Sequence, residues 1–156
     1  MTSDLLALVE QYRAGLEAEL ALLHRLERVA DRQRDASRDG DLDTLTLVTD
    51  ERDQLMASIV TIEHQMKPIR LTLLERRAEL ADSDAYQELA VLHKNAAALV
   101  STIVAADQAS LTALKEAELA RRFAARSLEQ GETTLAAYRR VVAPPLAGAT
   151  IVNRKG

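Results

Sequence analysis

The chain has 156 residues, of which 47% are hydrophobic, 28% charged and only 3% aromatic, with a formal net charge of −4 and no cysteine. That length bounds it at one domain, and the absence of cysteine excludes disulfides, thiolate metal sites and thiol catalysis. The acidic balance argues against a general nucleic-acid binder, while abundant Ala, Leu, Arg and Glu with scarce Gly and Pro is the composition of long helices.

The first helix is expected to start at Thr2, Ser3 or Asp4, any of which can accept backbone N–H bonds as a cap. Its apolar positions are Leu5, Leu8, Val9, Tyr12, Leu16, Leu20, Leu23, Leu26, Val29 and Ala30. It should close at Gly40 in the left-handed conformation, and so short a connection turns the next helix back antiparallel. The second helix begins at Asp41 or Asp43 and carries Leu45, Val48, Leu55, Ile59, Ile62, Met66, Ile69 and Leu73 on one stripe, closing at Leu80. Arg52 and Arg76 fill two steps where an apolar residue is expected. Pro68 lies inside this pattern. Because the register runs through it unbroken, a single kinked helix is favoured over a break at Lys67.

Ala81 to Asp84 forms the second turn, with Ser83 or Asp84 as the cap of a third helix. From Tyr86 to Val142 there is no proline, the only glycine is Gly131, and apolar residues keep a three- and four-residue rhythm. Pro144-Pro145 should end it, leaving residues 144–156 as an extended or disordered tail. The expected fold is all-α: an elongated antiparallel three-helix bundle or coiled coil over 1–143, with helices at about 3–39, 42–80 and 84–142, the third long, and a flexible C-terminal tail.

Nothing at the N-terminus reads as a signal peptide, since Asp4 and Glu10 interrupt the apolar stretch, and no uninterrupted apolar run reaches the roughly 18 residues of a membrane span. The expectation is a soluble cytoplasmic chain with no membrane insertion and no nucleic-acid partner. His24, His64 and His93 each lack a glutamate three residues before them, so the inward Glu-x-x-His pattern of di-metal bundles is absent. They read as surface or seam histidines. Glycines are too scattered for a phosphate loop, and carboxylate pairs such as Glu17/Glu19 and Glu116/Glu118 read as solvated charged faces. No catalytic, cofactor or metal site is expected, and the chain is not read as an enzyme.

Charge is segregated along the sequence. Residues 1–82 hold 17 acidic and 11 basic side chains, a net of −6, whereas from Arg121 onward seven basic residues face Glu129 and Glu132, a net of +5. Those basic residues alternate with large apolar ones, so Arg121, Phe123, Arg126, Leu128, Leu135, Tyr138 and Val142 form a candidate partner-binding surface. The third helix is longer than the first two by about five turns, which leaves the same stretch without a covering helix.

Three stretches carry a resemblance. The first is Leu16 to Leu26 (LEAELALLHRL), and the second is residues 41–55, Asp-Leu-Asp-Thr-Leu-Thr-Leu-Val-Thr-Asp-Glu-Arg-Asp-Gln-Leu. The third is Leu89 to Val100 (LAVLHKNAAALV), which contains Asn95. Together they resemble the FlgN-type flagellar export chaperones, small acidic helical proteins with a mobile C-terminal region. The chain departs from the pattern at Pro68 and in its longer basic end, where Tyr138 is followed by Arg-Arg-Val-Val-Ala-Pro-Pro rather than closely by glycine. The resemblance implies a cytoplasmic chaperone that binds the C-terminal helices of hook–filament junction proteins, prevents their premature association and delivers them to the type III export gate. The alternatives are a structural or adaptor coiled coil that pairs with its own copy, and a related secretion chaperone with other clients.

Overall fold

The computed structural model describes the backbone of residues 2–155 and the side chains of residues 2–141. All of its regular structure is helical: α1 (Ser3–Asp39), α2 (Leu42–Glu75), the single turn α3 (Arg77–Leu80) and α4 (Asp84–Lys155). The chain divides into two compact units, Met1–Leu114 and Lys115–Gly156, a different division from the 1–143 and 144–156 drawn from sequence.

Local chemistry sets the ends of the helices in the first unit. The Thr2 hydroxyl accepts from the Leu5 amide at 3.3 Å, and Gly40 closes α1 at φ 69°, a backbone angle that strains residues with a Cβ. The Asp41 carboxylate accepts from the Thr44 amide at 3.1 Å and from its hydroxyl at 2.6 Å, capping α2. Ser83 accepts from the Tyr86 amide at 3.1 Å at the start of α4.

Pro68 lies within an unbroken α2, as its register implied. The interruption falls instead at Arg76 (φ −104°, ψ 23°), so the expected helix 42–80 is two helices. Arg76 is held at the break by Glu79, 2.7 Å from its guanidinium, and the next turn carries Leu80 into full burial. α4 likewise does not end before Pro144-Pro145, where the sequence reading stopped it; its bounds reach Lys155. Proline's fixed φ near −65° is itself helical, and what it removes is the N–H donor. The expected tail at 144–156 otherwise lies outside the described side chains.

Two apolar clusters hold the first unit together. At one end Leu5, Val9, Tyr12 and Leu16 of α1 meet Met66 and Leu73 of α2, Leu80 of α3 and Leu89 of α4. At the other, Leu23, Leu26, Val29 and Ala30 meet Val48 and Leu55 of α2 with Ile103 and Ala106 of α4. This pairing makes α1 and α2 antiparallel, as the short turn at Gly40 requires. Those two helices are in close contact at Gly15, where an added Cβ would lie 2.6 Å from the Met66 sulfur and 2.8 Å from its Cγ.

Among the described residues one helix is long and apolar enough to cross a membrane: over Asp84–Val141, α4 contains an 18-residue window of mean hydropathy 1.5, 17% of it buried. Counting uninterrupted apolar residues missed this window, because alanines raise its mean around a few polar side chains. The same helix places Leu89, Ile103 and Ala106 in the two clusters, and bundle helices meet this criterion too.

The Gly15 contact yields a stability prediction. Alanine at 15 gains about 1 kcal/mol of helix propensity but overpacks against a buried methionine, at a cost of about 1–3 kcal/mol. Gly15→Ala should therefore lower the melting temperature, and in a Met66→Ala background, where the clash is gone, the same substitution should cost nothing or stabilise. A thermal melt followed by circular dichroism would show both.

Candidate functional site

The two apolar clusters are separated by a polar layer at Glu19. A strict alternation of three and four residues along α1 runs Tyr12, Leu16, Glu19, Leu23, Leu26 and Ala30, so Glu19 takes a seam position and Leu20 is only half-buried. Glu19 is 9% exposed, its Oε1 has no hydrogen-bond partner among the described residues, and its carboxyl lies beside that of Glu63 on α2. Two ionised carboxylates only accept, so this pair can share a hydrogen bond only when one of them carries a proton. Burial, and then the neighbouring Glu63, push Glu19 up to about 7. Burial also acts against ionised Glu63, but the proton offered by Glu19 and the guanidinium of Arg70 outweigh it and hold Glu63 below its usual range. Arg70 forms an ion pair with Glu63.

The layer extends to α4. The Arg70 Nε–H donates to the Tyr12 hydroxyl at 3.0 Å, and that hydroxyl lies 3.0 Å from His93 Nε2. The tyrosine oxygen accepts from arginine and keeps its own proton, which it donates to Nε2 when the imidazole is neutral with its proton on Nδ1. Burial and then Arg70 lower the His93 pKa, against the pull of Glu63. The rings of Tyr12 and His93 stand 5.6 Å apart. All three histidines are exposed, and of them His93 alone makes a side-chain hydrogen bond among the described residues. Beside this layer is a cleft of about 480 Å³, walled by Leu73, Tyr86 and Leu89 with Arg70, Tyr12 and His93 at its polar edge.

A second polar tie crosses the bundle near its other end. Arg52 of α2 grips Asp107 of α4 through two bonds of 2.8 and 2.7 Å and reaches Gln33 of α1 at 3.3 Å. This explains why arginine occupies an apolar step of the α2 pattern: it joins three helices by a bidentate pair. The two polar layers tie α1, α2 and α4 to one another. Together they fix which turn of each helix faces which.

The expected partner surface lies in the second unit. Every described residue from Leu119 to Val141 is exposed, including Phe123 (67%), Leu128 (75%), Leu135 (66%) and Tyr138 (65%). At about 100° per residue, Phe123, Tyr138, Leu135 and Leu128 share an arc of roughly 140° on one side of the helix, and Leu119 and Val141 adjoin it. The same arithmetic puts Arg126 on one border of that arc and Arg121 and Arg139 on the other. Arg121 is engaged locally by Glu118, at 2.8 and 3.0 Å. The hydrogen bond from Arg121, and then Arg122, hold Glu118 down to about 2. Arg126, Arg139 and Arg140 make no ion pair among the described residues. The Val142 side chain lies outside the described residues.

Sequence reasoning thus located the exposed stripe and missed Glu19. The carboxylates it read as uniformly solvated include one buried in the seam. The signal was the heptad step itself: from Leu16, the three-residue step reaches Glu19 and the four-residue step reaches Leu20. Comparison with protein-family models, with curated proteins and with solved structures finds no match.

The polar layer predicts a pH dependence with a definite sign. A carboxyl whose folded pKa is raised holds its proton longer folded than unfolded, so it favours the folded state at low pH and ceases to as pH rises through about 7. His93, with a lowered folded pKa, acts in the opposite sense and chiefly below its unfolded value of about 6.5. Between pH 6.5 and 8 the change at Glu19 is the larger of the two, since unfolded His93 is already half deprotonated at 6.5. The melting temperature should fall over that interval by a few degrees, and Glu19→Gln, whose amide can donate to Glu63 at any pH, should be higher at pH 8 and show no such fall.

Proposed function

We propose that this chain is a non-enzymatic chaperone that receives an amphipathic helix of a client protein on the exposed stripe of its second unit. The observation that carries the reading is the run Leu119 to Val141, in which large apolar side chains on one arc are all exposed. The second unit contains one helical segment, and one helix cannot bury its own stripe. Contiguous exposed apolar surface bordered by charge is a feature of binding sites, and a helix laid along it is a recurring mode of recognition.

The resemblance of residues 16–26, 41–55 and 89–100 to FlgN-type chaperones supplies the client class: the C-terminal helical segments of flagellar hook–filament junction proteins. On this reading the protein works in the cytoplasm, masks those helices before export and carries them to the export gate. Masking follows from the chemistry, because a client helix that would pair with its own copies is occupied by Phe123, Leu128, Leu135 and Tyr138 instead.

The test is binding of purified junction-protein C-terminal segments by isothermal titration calorimetry. Wild type should bind, and Leu128→Asp with Leu135→Asp should weaken binding at least about tenfold, since aspartate on a desolvated face costs more than about 1.4 kcal/mol. The same double variant should leave the melting temperature within about 2 °C, as expected of surface positions. Unchanged affinity would reject the surface. A large loss of melting temperature would show that the stripe is closed on the bundle.

A further inference from the structure

Gly131 lies inside a helix at an exposed position, and this is unfavourable for the free chain. Glycine destabilises a helix interior relative to alanine, and it is used where a turn, a positive φ or a close approach demands it. None of these applies within the chain. The only positive φ among the described residues is at Gly40, and a Cβ built on Gly131 meets nothing within 4 Å. The contrast with Gly15, where a Cβ would run into Met66, is direct.

The surroundings of Gly131 show what its missing side chain provides. Leu128 and Leu135 stand one turn to either side and, with Ser127 and Arg139, line a notch in the helix surface at this glycine. Ala120, Ala124 and Ser127 precede it on the same arc, so the centre of the apolar stripe is low before Gly131, between margins that carry Phe123 and Leu128, and Tyr138 bounds it two turns beyond. A partner helix can approach closely there and lower one bulky side chain into the gap. Charge narrows the choice of partner. Arg126 borders the arc on one side; on the other are Arg121, held by Glu118, and Arg139, beside Glu132 at the edge of the notch, and Arg126 and Arg139 have no ion-pair partner among the described residues. A second copy laid on this face would offer Arg126 and Arg139 the same basic borders again, whereas a helix with acidic borders would pair with both of them.

We propose that the notch at Gly131 is the seat for a bulky apolar side chain of an amphipathic client helix whose borders are acidic. This rests on the client-binding reading above and specifies the chemistry of its partner. The register of the complex then follows from the one position where the backbone is bare.

The probes are three synthetic helical peptides of about 25 residues, roughly the length of the stripe at 1.5 Å per residue. One has glutamate borders and a single phenylalanine in the middle of an alanine–leucine stripe; the second has lysine borders; the third replaces the phenylalanine by alanine. Titrated into the full-length protein and followed by fluorescence anisotropy, the acidic phenylalanine peptide should bind. The lysine peptide should bind at least about tenfold more weakly, as should the alanine peptide. Gly131→Leu, which fills the notch while favouring the helix, should weaken the acidic peptide about tenfold or more with no loss of helicity. Equal binding to Gly131→Leu and wild type overturns the seat, and equal binding of the acidic and basic peptides overturns the charge assignment. No binding of the acidic peptide below about 100 µM rejects the proposal outright. A dimer in sedimentation that Gly131→Leu disperses would assign the notch to a second copy and overturn it as well. If junction-protein segments lose affinity with Leu128→Asp and Leu135→Asp but not with Gly131→Leu, the seat fails while the chaperone reading stands.

Discussion

An apolar stripe on a helix must be covered by something, because the helix backbone satisfies its own hydrogen bonds but leaves the stripe facing water. The first unit of this protein meets that requirement internally. Leu5 to Ala30 of α1, Val48 to Leu73 of α2, Leu80 of α3 and the Leu89–Ala106 stretch of α4 bury one another in two clusters. The second unit, with a single helical segment, does not meet it: Leu119, Phe123, Leu128, Leu135, Tyr138 and Val141 remain exposed. The functional reading follows from that difference.

The bundle gives up some stability for definition. Replacing Glu19 and Glu63 by apolar residues would extend one cluster into the other, and a buried ionised pair is often no better than the apolar alternative. What the polar layers add is register. Glu19 must find Glu63, Arg70 must find Tyr12, and Tyr12 must find His93; a slip of one turn would leave each without its partner. Arg52 with Asp107 imposes the same condition near the other end. A seam of leucine and alanine alone would slide more readily, since one apolar contact resembles another.

How much of this could be read from the sequence differs by feature. Caps were legible because their signals are local: Thr2, Gly40, Asp41 and Ser83 each act through a neighbour three or four residues away. The continuity of α2 through Pro68 was legible from its unbroken register. The break at Arg76 was not, because it depends on the pairing with Glu79 and on where Leu80 has to go. Glu19 was hidden because Leu20, one residue on, also fits a helical step, and only the neighbouring helices decide between them. Arg52 could be seen as an interruption of an apolar pattern, but its partner lies 55 residues away in sequence. The exposure of Phe123 to Tyr138 was foreseen by comparing helix lengths. The depression at Gly131 emerged only when its surroundings were found empty.

Hydrogen–deuterium exchange of the free, monomeric chain tests the central claim most directly, namely that residues 119–141 form a helix whose stripe is uncovered until a client arrives. A helix without tertiary contacts opens by local fraying, whereas a bundle seam opens with the whole unit. The account predicts that amides of 119–141 exchange orders of magnitude faster than those around Leu16 and Val29, and gain protection when a junction-protein segment is added. Protection of 119–141 equal to that of α1 in the free monomer would contradict it.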